Sequence, residues 1–199
     1  MTIYFKYLIL SISSYIIGSI PTAYLLAHYI RGVKLSEYGS RSIGAMNLGS
    51  VMGRSWTLLT IFLDAWKGAL PVLIGMHLCG VAPYIAGSSA VLGHNLSVFL
   101  RFRGGRGVAT TGGALFFLSQ PAFWSIMAIN AFVRFTTGYS FLSNLAMALC
   151  LPLVLFLFKD IMASVYLGIP ICIFIILAYI KNPDVDWNRD KNNNYNNIK

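Results

Sequence analysis

The sequence predicts an all-α, polytopic membrane protein of about seven transmembrane helices, some of them short or broken. Three observations carry that expectation. Of 199 residues, 57% are hydrophobic and 11% charged, against about a quarter charged in a soluble domain. The apolar residues come in runs close to the ~20 residues that span a hydrocarbon core. The basic residues fall between those runs, as in loops retained on one side of a membrane. A soluble chain of this length has too much surface for its volume to hide so many apolar side chains in one core, and burial in a bilayer removes that conflict.

The first run, residues 3–30, is interrupted at Gly18-Ser19-Ile20-Pro21, where proline removes a backbone donor and breaks or kinks the helix. It has one Lys6 near its start and no small-residue cleavage signature at its end, so it reads as a retained helix rather than a cleaved signal. Residues 31–55 are polar and glycine-rich and form the first large loop. Residues 56–78 and 82–100 are two spans joined by the uncharged Cys79-Gly80-Val81, a hairpin with its tip outside. A second basic loop, 101–107, follows. Residues 108–134 read as two short helices with a turn at Gln120-Pro121. Two further spans, 140–158 and 162–180, are parted by Lys159-Asp160-Ile161. Residues 1–181 then make one helical domain. The tail from 182 to 199 is asparagine-rich, lacks hydrophobic periodicity and is expected to be disordered and cytoplasmic.

Charge tests the count. With seven spans, Arg31, Lys34, Arg41, Arg54, Arg101, Arg103, Arg106, Arg134 and the basic tail all face inside, and only Lys6 and Lys159 face outside. Six spans would put Arg134 and the tail outside, against the positive-inside rule. The N terminus is therefore expected outside and the C terminus in the cytoplasm. Fifteen Lys and Arg against six Asp and Glu give a net charge of +9. Because these charges form no single tract, nucleic acid is not expected as a partner. The three cysteines are odd in number and have no C-x-x-C spacing, which points to neither a disulfide frame nor a metal. There is no internal repeat of the kind that marks many transporters.

Two loops carry chemistry. Gly39-Ser40-Arg41-Ser42-Ile43-Gly44-Ala45-Met46-Asn47 gathers small residues, hydroxyls and an amide beside a cation, a composition that suits an anion and equally suits a flexible connector with a stop-transfer charge. Arg101-Phe102-Arg103-Gly104-Gly105-Arg106-Gly107 can wrap a phosphate with guanidinium forks and backbone donors, or serve only as topogenic charge. It is not a Walker loop. Within the spans, Asp64 and Lys67 lie three apart on one helix face, as an ion pair or with Lys67 aimed at a substrate. His94, beside Asn95 and near the Arg cluster, is a catalytic candidate or a satisfied interior histidine. No Ser-His-Asp set, no H-x-x-x-x-D pair and no metal-ligand cluster is evident. An acyl transfer without an evident base requires a donor that is already activated.

These residues, in order along most of the chain, resemble the bacterial acyl-phosphate:glycerol-3-phosphate acyltransferases of the PlsY type. Gly18-Ser19-Ile20-Pro21-Thr22-Ala23-Tyr24 is similar to that family's break in helix one, and Asp64-Ala65-Trp66-Lys67-Gly68 to its D-x-x-K-G. The run from Gly93-His94-Asn95 through Arg103-Gly104-Gly105-Arg106-Gly107-Val108-Ala109-Thr110 resembles its long second motif. The resemblance implies a seven-helix enzyme of the bacterial inner or plasma membrane that acts in phospholipid synthesis. It would move an acyl group from acyl phosphate to the 1-hydroxyl of glycerol 3-phosphate, without cofactor, acyl-CoA or metal, to give lysophosphatidic acid and phosphate. The substrate phosphate would take the hydroxyl proton, and membrane lipid would surround the bundle.

On that reading His94, Lys67, Arg103 and Arg106 are catalytic, and Ser40, Arg41, Asn47, Gly104, Gly105, Ser140 and Ser143 hold the substrate phosphates. The chain departs from the family's G-S-G-N-I-G-A-T-N-x-x-R, since Arg41, Ser42, Met46 and Ser50 stand at its second Gly, first Asn, Thr and Arg. Lys181 and Asp184 stand at its closing His and Asn. Loss of a charge-assisted contact at Ser50 costs about 1.5 to 3 kcal/mol, unless Arg41 replaces it. The alternative reading is a non-catalytic paralogue that binds acyl phosphate or lipid.

Overall fold

The computed structural model describes residues 2–78, 80–158 and 160–181. The expected tail, 182–199, lies outside these residues, as do Cys79 and Lys159. Every regular element among them is helical.

The first apolar run is two helices, α1 (Ile3–Ser19) and α2 (Thr22–Arg31), separated at Ile20-Pro21. Pro21 takes φ −87° and ψ 76°, outside the helical region. α3 (Ala45–Met52) and α4 (Arg54–Met76) meet at Gly53, whose φ of 100° only glycine adopts readily. α5 (Ala82–Asn95) ends five residues short of the span expected to reach residue 100, and a 3-10 turn over Val98–Leu100 leads into the basic loop. The region 108–134 divides as expected, into α6 (Val108–Leu118) and α7 (Gln120–Thr137), with the Ser119 hydroxyl accepting from the Ala122 amide at the start of α7. α8 (Ser140–Leu157) follows. The chain then returns as α9 (Ile161–Ala163), a π-turn over Ser164–Gly168, and α10 (Ile169–Lys181).

Among the described residues, four helical stretches, Ile3–Arg31, Arg54–Met76, Ser140–Leu157 and Ile161–Ile180, are long and apolar enough to cross a membrane. Their outward faces are apolar, as Ile12, Leu58, Phe62, Leu149, Leu153 and Ile173 illustrate. That surface is suited to lipid and explains how a 199-residue chain accommodates so many hydrophobic residues. The protein is an integral membrane protein of several helices.

The first basic loop departs from expectation, because α3 forms inside what reads as an open connector. Leu48 and Met52, one turn apart, are buried with Leu35 against Ala23 and Ala27 of α2. A two-turn helix with a single i, i+4 apolar pair is too short for periodicity to reveal against a polar background.

Helix packing at the centre relies on glycine. A Cβ on Gly18 of α1 would fall 2.0 Å from the carbonyl oxygen of Ala90 in α5, and one on Gly93 of α5 would fall 2.1 Å from that of Tyr15 in α1. α4 and α6 repeat the arrangement, with Gly68 against the Thr110 carbonyl and Gly113 against that of Ala65, each at 1.9 Å. Where lipid offers no hydrophobic drive between helices, this close backbone contact supplies the association. Gly113→Leu is expected to separate α4 from α6 and abolish a cooperative thermal transition in detergent, because the obstructing atom is backbone and cannot rotate away.

Candidate active site

The break at Pro21 has a local cost. It takes the Ile20 carbonyl out of the helical i, i+4 ladder, and that oxygen accepts instead from the Thr22 amide at 3.0 Å across the break. Lys67 of α4 adds a second, charged donor, from Nζ to Ile20 O at 2.6 Å and to Thr22 Oγ1 at 3.2 Å. The same ammonium pairs with Asp64 Oδ1 at 2.6 Å, and Thr22 Oγ1 donates to that oxygen at 2.5 Å. His94 Nδ1 stands 3.8 Å from it. Asp64 and Lys67 are 3% and 6% exposed, so the pair is removed from solvent. Of the two readings left open by sequence, the ion pair is the one observed, and it also closes the helix break.

The glycines of the second basic loop pack against the end of α5. The Gly105 amide donates to His94 O at 3.0 Å. A Cβ on Gly104 would fall 2.1 Å from that oxygen, and one on Gly105 would fall 2.2 Å from His94 Nε2. Gly104 and Gly105 border a small cavity of about 10 Å³ shared with Thr22, Lys67 and His94. Arg106 leaves this turn inward. Its Nη1 donates to Ala178 O at 3.1 Å, and its guanidinium lies 4.0 Å from the centre of the Tyr179 ring. Burial lowers its pKa from the ordinary value, with Tyr179 acting in the opposite direction.

In the first loop, Asn47 is 3% exposed and works as a hub. Its Nδ2 donates to the carbonyls of Leu35, Tyr38 and Ser42 at 3.2, 3.1 and 2.8 Å, and its Oδ1 accepts from the Ser40 amide at 2.9 Å. Ser50 donates to Asn47 O at 2.8 Å. Asn47 therefore holds the loop in shape.

Both loops border one large cavity of about 790 Å³. Ser40, Asn47, His94, Arg106, Ser140 and Ser143, all expected from sequence, line it. Arg41 and Arg103 are exposed and stand outside that lining, so the Arg41, Arg103 and Arg106 guanidiniums do not converge on it. A second cation comes instead from Arg134, near the end of α7, and Asn130, Asn144 and Tyr179 line the same cavity. Asn130 Nδ2 donates to Asn144 Oδ1 at 3.2 Å, and Asn144 Nδ2 donates to Tyr179 Oη at 2.9 Å.

Away from the loops the lining becomes apolar: Phe62 and Trp66 of α4, Phe116 and Phe117 of α6, and Phe123 and Met127 of α7. The Phe116 and Phe123 rings meet edge to face at 5.4 Å across the α6–α7 turn. A cationic, hydroxyl-rich region thus adjoins a long aromatic one, which is the pattern required by a phosphate attached to an acyl chain.

A family model described as glycerol-3-phosphate acyltransferase matches residues 8–185. The chain belongs to the glycerol-3-phosphate acyltransferase family. It is 41% identical over 152 residues to glycerol-3-phosphate acyltransferase 2 of Moorella thermoacetica, covering 75% of this chain and 78% of that one. It is 34% identical over 177 residues to the glycerol-3-phosphate acyltransferase of Geotalea daltonii, covering 88% and 91%. The crystal structure of the integral membrane glycerol 3-phosphate acyltransferase PlsY in its glycerol 3-phosphate form superposes with a TM-score of 0.81 at 30% identity over 90% of each chain. The lysophosphatidic acid form of PlsY gives 0.79 at 29% identity, again over 90% of each chain.

In this family member's sequence Arg134 reads only as topogenic charge, and no motif marks Asn130, Asn144 or Tyr179 as parts of the cavity. The available signal was spacing. Asn130 and Arg134 are one turn apart on α7, and Ser140 and Asn144 one turn apart on α8, so two polar stripes run along helices that adjoin in sequence.

Proposed function

We propose that this acyltransferase moves an acyl group from acyl phosphate to the 1-hydroxyl of glycerol 3-phosphate. The hydroxyl oxygen attacks the acyl carbon, the bond from that carbon to the phosphate oxygen breaks, and phosphate leaves with the hydroxyl proton. Lysophosphatidic acid and phosphate are the products. The observation that carries this reading is the single cavity in which Arg106, Ser40 and Ser143 adjoin the aromatic wall of Phe62, Trp66 and Phe116. The PlsY forms with glycerol 3-phosphate and with lysophosphatidic acid support the choice of acceptor and product.

The mixed anhydride is already activated, so the chain's residues need only place the two substrates and stabilise charge on the leaving phosphate. Arg106 faces that charge. His94 and the Asp64–Lys67 pair hold the loop and the helix break around it. On this reading the protein sits in the bacterial cell membrane with its N terminus outside, so that both basic loops and the mouth of the cavity meet cytoplasmic glycerol 3-phosphate.

A second reading, binding without turnover, is favoured by Ser50. It stands where the family's motif has Arg, and its hydroxyl is engaged by the Asn47 carbonyl. The deciding experiment supplies palmitoyl phosphate and labelled glycerol 3-phosphate to the purified protein. Labelled lysophosphatidic acid is the expected product. Retention of palmitoyl phosphate with no product would establish the second reading.

A further inference from the structure

We infer that Arg134 is a phosphate-binding residue of this cavity, a second cation that acts with Arg106 and that the chain supplies from the end of α7. The inference rests on the acyl transfer proposed above. Each substrate of that reaction carries a phosphate group. Asp64 also borders the cavity but is ion-paired with Lys67. Arg41 and Arg103 stand outside the lining. Arg106 and Arg134 are the Lys and Arg side chains that line it among the described residues, and one guanidinium is a poor match for two phosphate groups.

Position agrees with this role. Arg134 Nη1 donates to the carbonyl of Gly138, the left-handed residue (φ 76°) that ends α7. The side chain is thereby tethered at the loop end of the helix. A guanidinium has five N–H donors, so the tether is compatible with a further bond to an anion. The two cations share one polar wall. Arg106 lies over Tyr179, Tyr179 accepts from Asn144, and Asn144 accepts from Asn130, one turn before Arg134. This wall fixes Arg106 and the face of α7 that carries Arg134 on the same cavity.

Either phosphate suits the chemistry, and kinetics distinguish them. In the purified full-length chain, KM for glycerol 3-phosphate and for palmitoyl phosphate would be measured separately for wild type, Arg134→Gln and Arg134→Lys. Glycerol 3-phosphate and palmitoyl phosphate affinities would be measured alongside. Gln can still donate to the Gly138 carbonyl, so the thermal midpoint of that variant should stay near wild type. Its KM and Kd for one substrate are expected to rise about 10- to 100-fold, the size of a lost charge-assisted contact, with Lys recovering part of the loss.

A rise confined to glycerol 3-phosphate assigns Arg134 to the acceptor, and one confined to palmitoyl phosphate assigns it to the donor. Unchanged constants for both substrates would overturn the inference. Should wild type bind a substrate without making lysophosphatidic acid, the acyl-transfer reading fails while the Kd of Arg134→Gln still decides the role of Arg134. Failure of wild type to bind either phosphate would remove both.

Discussion

Arg106→Ala is expected to lower kcat/KM about 100- to 1,000-fold, the usual loss when one preorganised group facing developing negative charge is removed from an enclosed site. The Arg106 guanidinium is held before any substrate arrives, by the Ala178 carbonyl at 3.1 Å and the Tyr179 ring at 4.0 Å. It therefore needs little reorganisation when the acyl–phosphate bond breaks. Arg106→Lys keeps the charge but loses the planar fork and the stacking on Tyr179, so an intermediate loss is expected, weighted toward kcat. Comparison of initial rates with thermal midpoints separates chemistry from structure, because Arg106 also links the second loop to α10. A variant as active as wild type would show that the leaving phosphate is stabilised elsewhere in the cavity.

How far the sequence reveals this arrangement depends on the range of each signal. The Pro21 break, the α6–α7 turn and the Asp64–Lys67 pair follow from neighbours one to four residues apart, and all three are observed, the turn at Ser119, one residue before Gln120-Pro121. The glycine crossings are different. Gly68 and Gly113 are ordinary in their own segments, and only the approach of α4 to α6 makes a side chain at either position impossible. The site divides in the same way. Ser40, Asn47, His94 and Arg106 lie in compact motifs, whereas Asn130, Arg134, Asn144 and Tyr179 are separate polar residues on three helices that only the tertiary fold brings to one cavity. Sequence also overstates the second loop: its glycines pack on His94, and of Arg103 and Arg106 only Arg106 turns inward.

Removing one member of the Asp64–Lys67 pair is expected to cost about 3 to 5 kcal/mol of stability, the range for a buried ion pair deprived of one partner. Lys67→Met leaves the Asp64 carboxylate 3% exposed with only the Thr22 hydroxyl donating to it at close range. It also takes the ammonium from the Ile20 carbonyl, which keeps the Thr22 amide. Asp64→Asn leaves the ammonium buried but still bonded to Ile20 O and Thr22 Oγ1, so it should be the milder of the two. The double variant removes both charges and is expected to be more stable than Lys67→Met alone, because no uncompensated charge remains. Its residual deficit reports the lost ammonium bond to the Ile20 carbonyl, about 1.5 to 3 kcal/mol for a hydrogen bond to a charged group. Chemical unfolding in detergent across this cycle would measure the coupling. Additive losses would show that the two charges act independently; a strong positive coupling, with activity returning as stability returns, would show that the pair serves the reaction by holding the break between α1 and α2 closed.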